Sequence, residues 1–172
     1  MKKFIQQSKT YQGIAVLIFA LCIQTSQAQI KLKQYILPGT AMFLSGMLDG
    51  TIESINYHYE NGFKREVQGA DDQFWNPELS WKNKYKNGDP TQGSKFYGST
   101  SALVFTTDAY HALRASKNIL NTFTIVYSIN GTCAEKTSFK KKWKKIAMDA
   151  VVLTAMRTIG FYTTYNIIFK QH

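Results

Sequence analysis

Residues 104–114 read VFTTDAYHALR, and in this largely apolar run Asp108 and His111 stand three positions apart. On a helix that spacing sets a carboxylate and an imidazole side by side on one face. Such a pair can exchange protons with a substrate, ligate a metal, or hold a local turn together through a hydrogen bond. Asp49 and Glu53 form a second group four positions apart, and Asp149 is a further isolated acid. If these segments pack with their polar faces inward, four carboxylates and one imidazole converge. Helical bundles build carboxylate–histidine metal sites in this way from Glu-x-x-His motifs, whereas this chain offers a single Asp-x-x-His.

Oxygen and imidazole donors suit Zn, Mn or Fe. The candidate metal site is therefore Asp49, Glu53, Asp108, His111 and Asp149, with Asp108, His111 and Glu53 as candidate catalytic groups. A divalent metal there would generate hydroxide for hydrolysis of a lipid or phosphoester, with Arg114 or Arg157 holding an anionic substrate group. Each acid also has a plainer reading. Asp108 and His111 can be a satisfied helix pair, Asp49 and Glu53 a solvated face, and Asp149 a first-turn residue that complements a helix dipole. His58 falls on a different side of the helix from Glu53 and lies outside that stripe. The chain has no Gly-x-Ser-x-Gly elbow, phosphate loop, His-Glu-x-x-His or Cys-x-x-Cys.

Elements that must position these residues follow from periodicity. In 35–63, Leu44, Leu48, Ile52, Ile55 and Tyr59 recur at helical spacing beside an acidic stripe of Asp49, Glu53, Asn56 and Glu60. Residues 64–98 bring Asn76-Pro77 and Asn87-Gly88-Asp89-Pro90, both turn signals, together with Trp75, Trp81, Tyr85, Phe96 and Tyr97. So aromatic a stretch is expected to be an ordered irregular loop, with a short helix at 77–86. Helix is expected again from Ser99 or Thr100, although FTIVYSI (123–129) also suits a strand. Six lysines in KTSFKKKWKK (136–145) precede a long apolar helix at 146–169. The fold class expected is mainly α, a small helical bundle with a long aromatic irregular loop.

The first 28 residues have the three-part layout of an export signal: Lys2, Lys3 and Lys9, then IAVLIFALCI, then a polar stretch ending at Ala28. An uncharged core of about ten residues is short for a membrane span, which needs about 20. The expected division is a signal peptide at 1–28 and one helical, membrane-associated domain at 29–172. Removal of 1–28 leaves Cys133 as the single cysteine, so no intramolecular disulfide forms and a packed core must carry stability.

All 11 acidic residues and 18 of the 21 basic ones lie beyond position 28. A basic exported chain faces anionic lipid or another acidic envelope component, and no nucleic-acid-binding motif is present. Trp75, Trp81, Tyr85, Lys140, Lys141, Lys142, Trp143, Lys144 and Lys145 are the expected membrane-binding residues, rings at the interface and lysines at headgroups. Segments 35–55 and 146–169 have the length of transmembrane helices. Asp49, Glu53, Asp149 and Arg157 burden them at about 2.5–3.5 kcal/mol each near a bilayer centre.

The stretch FWNPELSWKNKYKNGDPTQGSKFYGSTSALVFTTDAYHALR (74–114), with DGTIESINYHY (49–59), resembles a group of small exported bacterial proteins with no assigned activity. The resemblance implies that the aromatic loop and the Asp108/His111 segment form one recurring unit. The expected function is a non-catalytic binding or structural role at the cell envelope, on the inner membrane or its periplasmic side, with membrane lipid or an envelope protein as partner. The metal-dependent hydrolase is the alternative. Oligomeric state is left open by the sequence.

Overall fold

A computed structural model describes residues 33–170, which form one compact unit. The export signal expected at 1–28 lies outside the described residues. Three long helices dominate: α1 (Lys33–Tyr57), α2 (Ala109–Ala134) and α3 (Phe139–Tyr162). The fold is mainly α, and FTIVYSI continues α2 without a break. α3 begins seven residues before the expected 146, so the lysine run is helical.

Cross-helix contacts fix the directions. Tyr35 meets Asp149, Asp49 meets Arg157 and His58 meets Tyr165, so α1 and α3 run parallel. Ser45 meets Asn121 and Asp49 meets Lys117, so α2 runs antiparallel to both. α1 lies between the other two. One end of the bundle holds the start of α1, the finish of α2 and the lysine-bearing start of α3. The other holds the long loop.

Glycine lets α1 and α3 touch backbone to backbone. A Cβ on Gly46 would overlap the Arg157 carbonyl, and one on Gly160 would overlap the Phe43 carbonyl. A Cβ on Gly50 would lie 2.9 Å from the Phe161 oxygen and 3.0 Å from Thr164 Cβ. Gly46 and Gly50 therefore form a small-x-x-x-small seam, a device that brings helices together by dispersion and close fit.

The interior beside this seam is small and polar. Ser45, Ser54, Thr124, Thr132, Asp149 and Thr164 are buried, whereas Ile119, Phe123, Ile125, Val126, Ile129, Val151 and Ile159 are exposed. Three hydroxyls are satisfied inside their own helices: Ser54 donates to the Gly50 carbonyl at 2.8 Å, Thr51 to Met47 at 3.0 Å and Thr124 to Leu120 at 2.9 Å, whereas those of Thr132 and Thr164 are buried with no partner among the described residues.

The large apolar core lies at the loop end. Ile55, Tyr59, Phe63, Ala109 and Phe169 are buried together, with Phe74, Trp75, Tyr110 and Leu113 packed around them. π-helical turns at Tyr59–Phe63 and Thr163–Ile168 extend α1 and α3 and deliver Phe63 and Phe169 to within 5.1 Å, centroid to centroid. Phe63 also stacks on Trp75 at 4.9 Å.

The loop is ordered, as its aromatic content led one to expect. Asp71 caps a turn at Asp72–Trp75, Asn76 caps Pro77–Ser80, and Asp89 caps Pro90–Gln92. Helix at 77–86 shortens to the α-turn Pro77–Ser80 and the 3₁₀ turn Trp81–Lys84, because Tyr85 turns extended and bridges Ser94. Asn87 and Gly88 take positive φ, 52° and 73°, to make the reversal between those partners. Buried Ser99 fastens the loop by donating to the Lys84 carbonyl at 2.7 Å.

Candidate functional site

Asp108 and His111 resolve into a helix cap. Asp108 is the N-cap of α2, extended at φ −156°, and its carboxylate accepts from the His111 backbone N–H at 2.9 Å. The His111 ring returns to the same carboxylate, Nδ1 lying 2.8 Å from Oδ1. Thr107 Oγ1 adds a third contact at 3.0 Å, and the residue is 2% exposed. The two His111 donors, with the Thr107 hydroxyl shared between this carboxylate and the Val104 carbonyl at 2.7 Å, give a buried acid the hydrogen bonds by which such a group is tolerated. The i, i+3 spacing that suggested chemistry is the N-cap to N3 relation.

Asp49 sits between cations at mid-bundle. Lys117 Nζ approaches Oδ1 at 2.6 Å from α2, and Arg157 Nη2 pairs with Oδ2 from α3. Its side chain is 19% exposed, as is that of Lys117. One acid thus ties all three helices. Ser45 Oγ, one turn earlier on α1, donates to Asn121 Oδ1 at 2.6 Å and extends the polar seam.

Asp149 lies in the third turn of α3, not its first, because the helix starts at Phe139. The Tyr35 hydroxyl donates to its Oδ1 at 2.6 Å. The Tyr35 phenol is pushed up to about 12, first by burial and then by the hydrogen bond and charge of Asp149, both of which favour the neutral phenol. Glu53 is half-buried on α1.

The five expected ligands are thus distributed among three separate places: the α2 cap, the mid-bundle ion cluster with Glu53 one turn on, and the lysine end. Among the described residues no three His, Cys, Asp or Glu side chains gather as a metal-holding group. Asp108 and His111 do meet, but the expected convergence with Asp49, Glu53 and Asp149 does not occur. Arg114 stacks over the Tyr110 ring at 5.9 Å, and Arg157 is engaged by Asp49.

The expected membrane surface also separates. Trp75 packs in the loop-end core, and Trp81 meets Tyr85 edge-on at 6.2 Å. Lys140, Lys141, Lys142, Trp143, Lys144 and Lys145 belong to the start of α3, at the opposite end of a bundle about 36 Å long. Trp143 is 63% exposed there.

The expectation of transmembrane helices is corrected: among the described residues no helix is long and apolar enough to cross a membrane. α3 spends its first two turns on lysines and is then interrupted by Asp149 and Arg157, while Asp49 and Glu53 interrupt α1.

Sequence reasoning missed Lys117, Asn121, Ser45 and Tyr35, the partners that settle the acids. It also missed a cavity of about 470 Å³ at the lysine end, lined by Gln34, Tyr35, Tyr127, Asn130, Lys145 and Asp149 among others. No pattern in the chain links these distant positions; only parallel packing of α1 and α3 does. At the loop end, His58 Nε2 lies 2.7 Å from the Tyr165 hydroxyl beside a second cavity that Asn166 and Lys170 also line.

Comparison of the chain with protein families, with curated proteins and with solved structures finds no match in any of the three.

Proposed function

We propose that this protein is a non-catalytic cell-envelope component that lies on an anionic membrane surface. The observation that carries the reading is the radial distribution of side chains. Ser45, Ser54, Thr124, Asp49 and Asp149 face inward or lie half-buried, while α2 turns Ile119, Phe123, Ile125, Val126 and Ile129 outward. A run of large apolar side chains on one helix, each 41–69% exposed, is costly in water and favourable at a lipid interface. That part of α2 leads to the end of the bundle where α3 begins.

Charge supports the same orientation. α3 opens with five lysines and no acid in its first turn. Cations at a helix N-terminus oppose the dipole, so the arrangement costs stability unless anions sit nearby. Anionic headgroups supply them, at about 1 kcal/mol per lysine near the surface. Trp143, exposed among the lysines, suits the headgroup boundary.

Flotation of the full chain with phosphatidylglycerol-containing vesicles tests the reading. The chain should rise with the vesicles at low salt, and bromine on upper acyl carbons should quench Trp143. Lys140→Gln with Lys141→Gln and Lys144→Gln should weaken binding about a hundredfold, at about 1 kcal/mol per lysine. A chain that stays folded and remains in the aqueous layer with every anionic vesicle refutes it.

A further inference from the structure

We propose that the cavity at the lysine end receives the headgroup of an aminophospholipid, its ammonium on Asp149 and its phosphate on Lys145. This deepens the membrane reading and rests on it. The cavity, about 470 Å³, lies between the first turns of α1, the last turns of α2 and the third turn of α3. Asp149 belongs to it and is only 8% exposed.

A carboxylate so buried needs hydrogen bonds and a counter-charge. Tyr35 supplies one bond, to Oδ1 at 2.6 Å, while Oδ2 has no hydrogen-bond partner among the described residues. The nearest candidate cation along the helix, Lys145, points elsewhere. Its Nζ lies 2.7 Å from Glu135 Oε1, and the Gly131 backbone gives it room. Asp149 therefore faces the cavity with an acceptor to offer and no cation upon it among the described residues.

The other lining groups fit a primary ammonium next to an anion. Gln34 lies on the same wall, and its carbonyl lacks the usual helical donor because Pro38 has no N–H. It supplies a second acceptor. Tyr35 and Tyr127 provide ring faces for a cation. Lys145, one turn before Asp149, and the Asn130 amide are donors for phosphate oxygens. Lys145 and Asp149, one turn apart on α3, set a cation and an anion side by side at the cavity as a zwitterion requires, with Lys145 exchanging Glu135 for the phosphate.

The test uses the full chain and two vesicle types of equal phosphatidylglycerol content, one diluted with phosphatidylcholine and the other with phosphatidylethanolamine. Binding to the ethanolamine vesicles should be about tenfold tighter, the equivalent of about 1.4 kcal/mol. Asp149→Asn keeps an oxygen for Tyr35 but loses the charge. It should abolish this preference while leaving binding to the choline vesicles intact. Soluble glycerophosphoethanolamine in excess should erase the preference as well. Equal binding of the native chain to both vesicles overturns the headgroup site alone. So does a preference that persists in Asp149→Asn or under excess soluble headgroup. Absence of binding to either vesicle overturns the membrane reading itself.

Discussion

Alanine substitution along the α1–α3 seam gives a graded test of the packing. In a helix interior Gly→Ala is ordinarily stabilising by about 0.8–1 kcal/mol, since the unfolded chain loses freedom and the helix gains a better former. Gly131, in α2, should show this gain. Its added Cβ would meet nothing nearer than Lys145 Nζ at 3.9 Å, an ordinary contact. At Gly50 the new methyl would lie 2.9 Å from the Phe161 carbonyl, and 3.4 Å is the lower bound of comfortable contact. α3 must yield by roughly half an ångström, and overpacking costs about 1–3 kcal/mol, for a net loss of about 0–2 kcal/mol. At Gly46 the methyl would overlap backbone at Arg157 and crowd that of Phe161, neither of which can rotate away. The helices must part there, three residues from the Asp49–Arg157 pair, and the net loss should reach about 3 kcal/mol. At roughly 4 °C per kcal/mol, the helical melting transition should rise about 3 °C for Gly131→Ala and fall about 12 °C for Gly46→Ala, with Gly50→Ala between. Circular dichroism in one fixed medium measures all three. A Gly46→Ala protein that melts with or above Gly131→Ala would show that α1 and α3 do not approach as described.

Further outcomes follow from the polar contacts. Asp108→Ala should cost about 1–2 kcal/mol through loss of the α2 cap, read by chemical denaturation, and should leave the metal content of purified protein unchanged. A stoichiometric ion lost with that substitution would instead restore the hydrolase alternative. Asp49→Ala strands Lys117 and Arg157 and should destabilise by about 2 kcal/mol, tempered by the partial exposure of Arg157. Lys117→Met in that background should recover part of the loss. Around the loop, the Lys64 ammonium and then the Tyr59 hydroxyl hold the Asp72 carboxyl below its usual range, while Asp72 holds Lys64 above its own. The Asp72 contribution is present above about pH 4 and fades as acid protonates the folded carboxyl; that of Lys64 is whole below about pH 10 and fades in stronger alkali. Melting temperatures scanned from pH 2 to 7 should therefore show an acid-side decline that Lys64→Met flattens; an unaltered decline would remove this cluster from the account.

Much of the scaffold is legible in the chain. Periodic apolar residues mark α1, the turn dipeptides and ring-rich composition mark an ordered loop, and the continuous run after Lys145 marks α3. The inner face of α1 is less legible. Ile52, Ile55 and Tyr59 point inward as their spacing suggests, but Leu44 is largely exposed and Ser45, Gly46 and Gly50 take the interior instead. Apolar periodicity identifies the buried face only where large side chains fill the core. Where backbones touch, the informative residues are the small ones, and Gly46-x-x-x-Gly50 carried that signal. The partners of the acids were illegible for a related reason. Spacing within one helix shows which side chains are neighbours, as with Asp108 and His111. It says nothing of Lys117 and Arg157, whose approach to Asp49 spans 68 and 108 positions.

Those long separations also bear on the order in which the protein assembles. α1 and α2 pack as antiparallel neighbours, whereas the glycine face of α1 meets a partner whose first contact lies 114 residues downstream. The α1–α2 contacts already span 68 and 76 positions, and the α1–α3 contacts must wait for a still later part of the chain. During synthesis, the early helices therefore wait with their closest-fitting surface uncovered. Completion rests on the final helix alone, so a chain stalled before Arg157 cannot close the bundle and is the species that proteases and chaperones would meet.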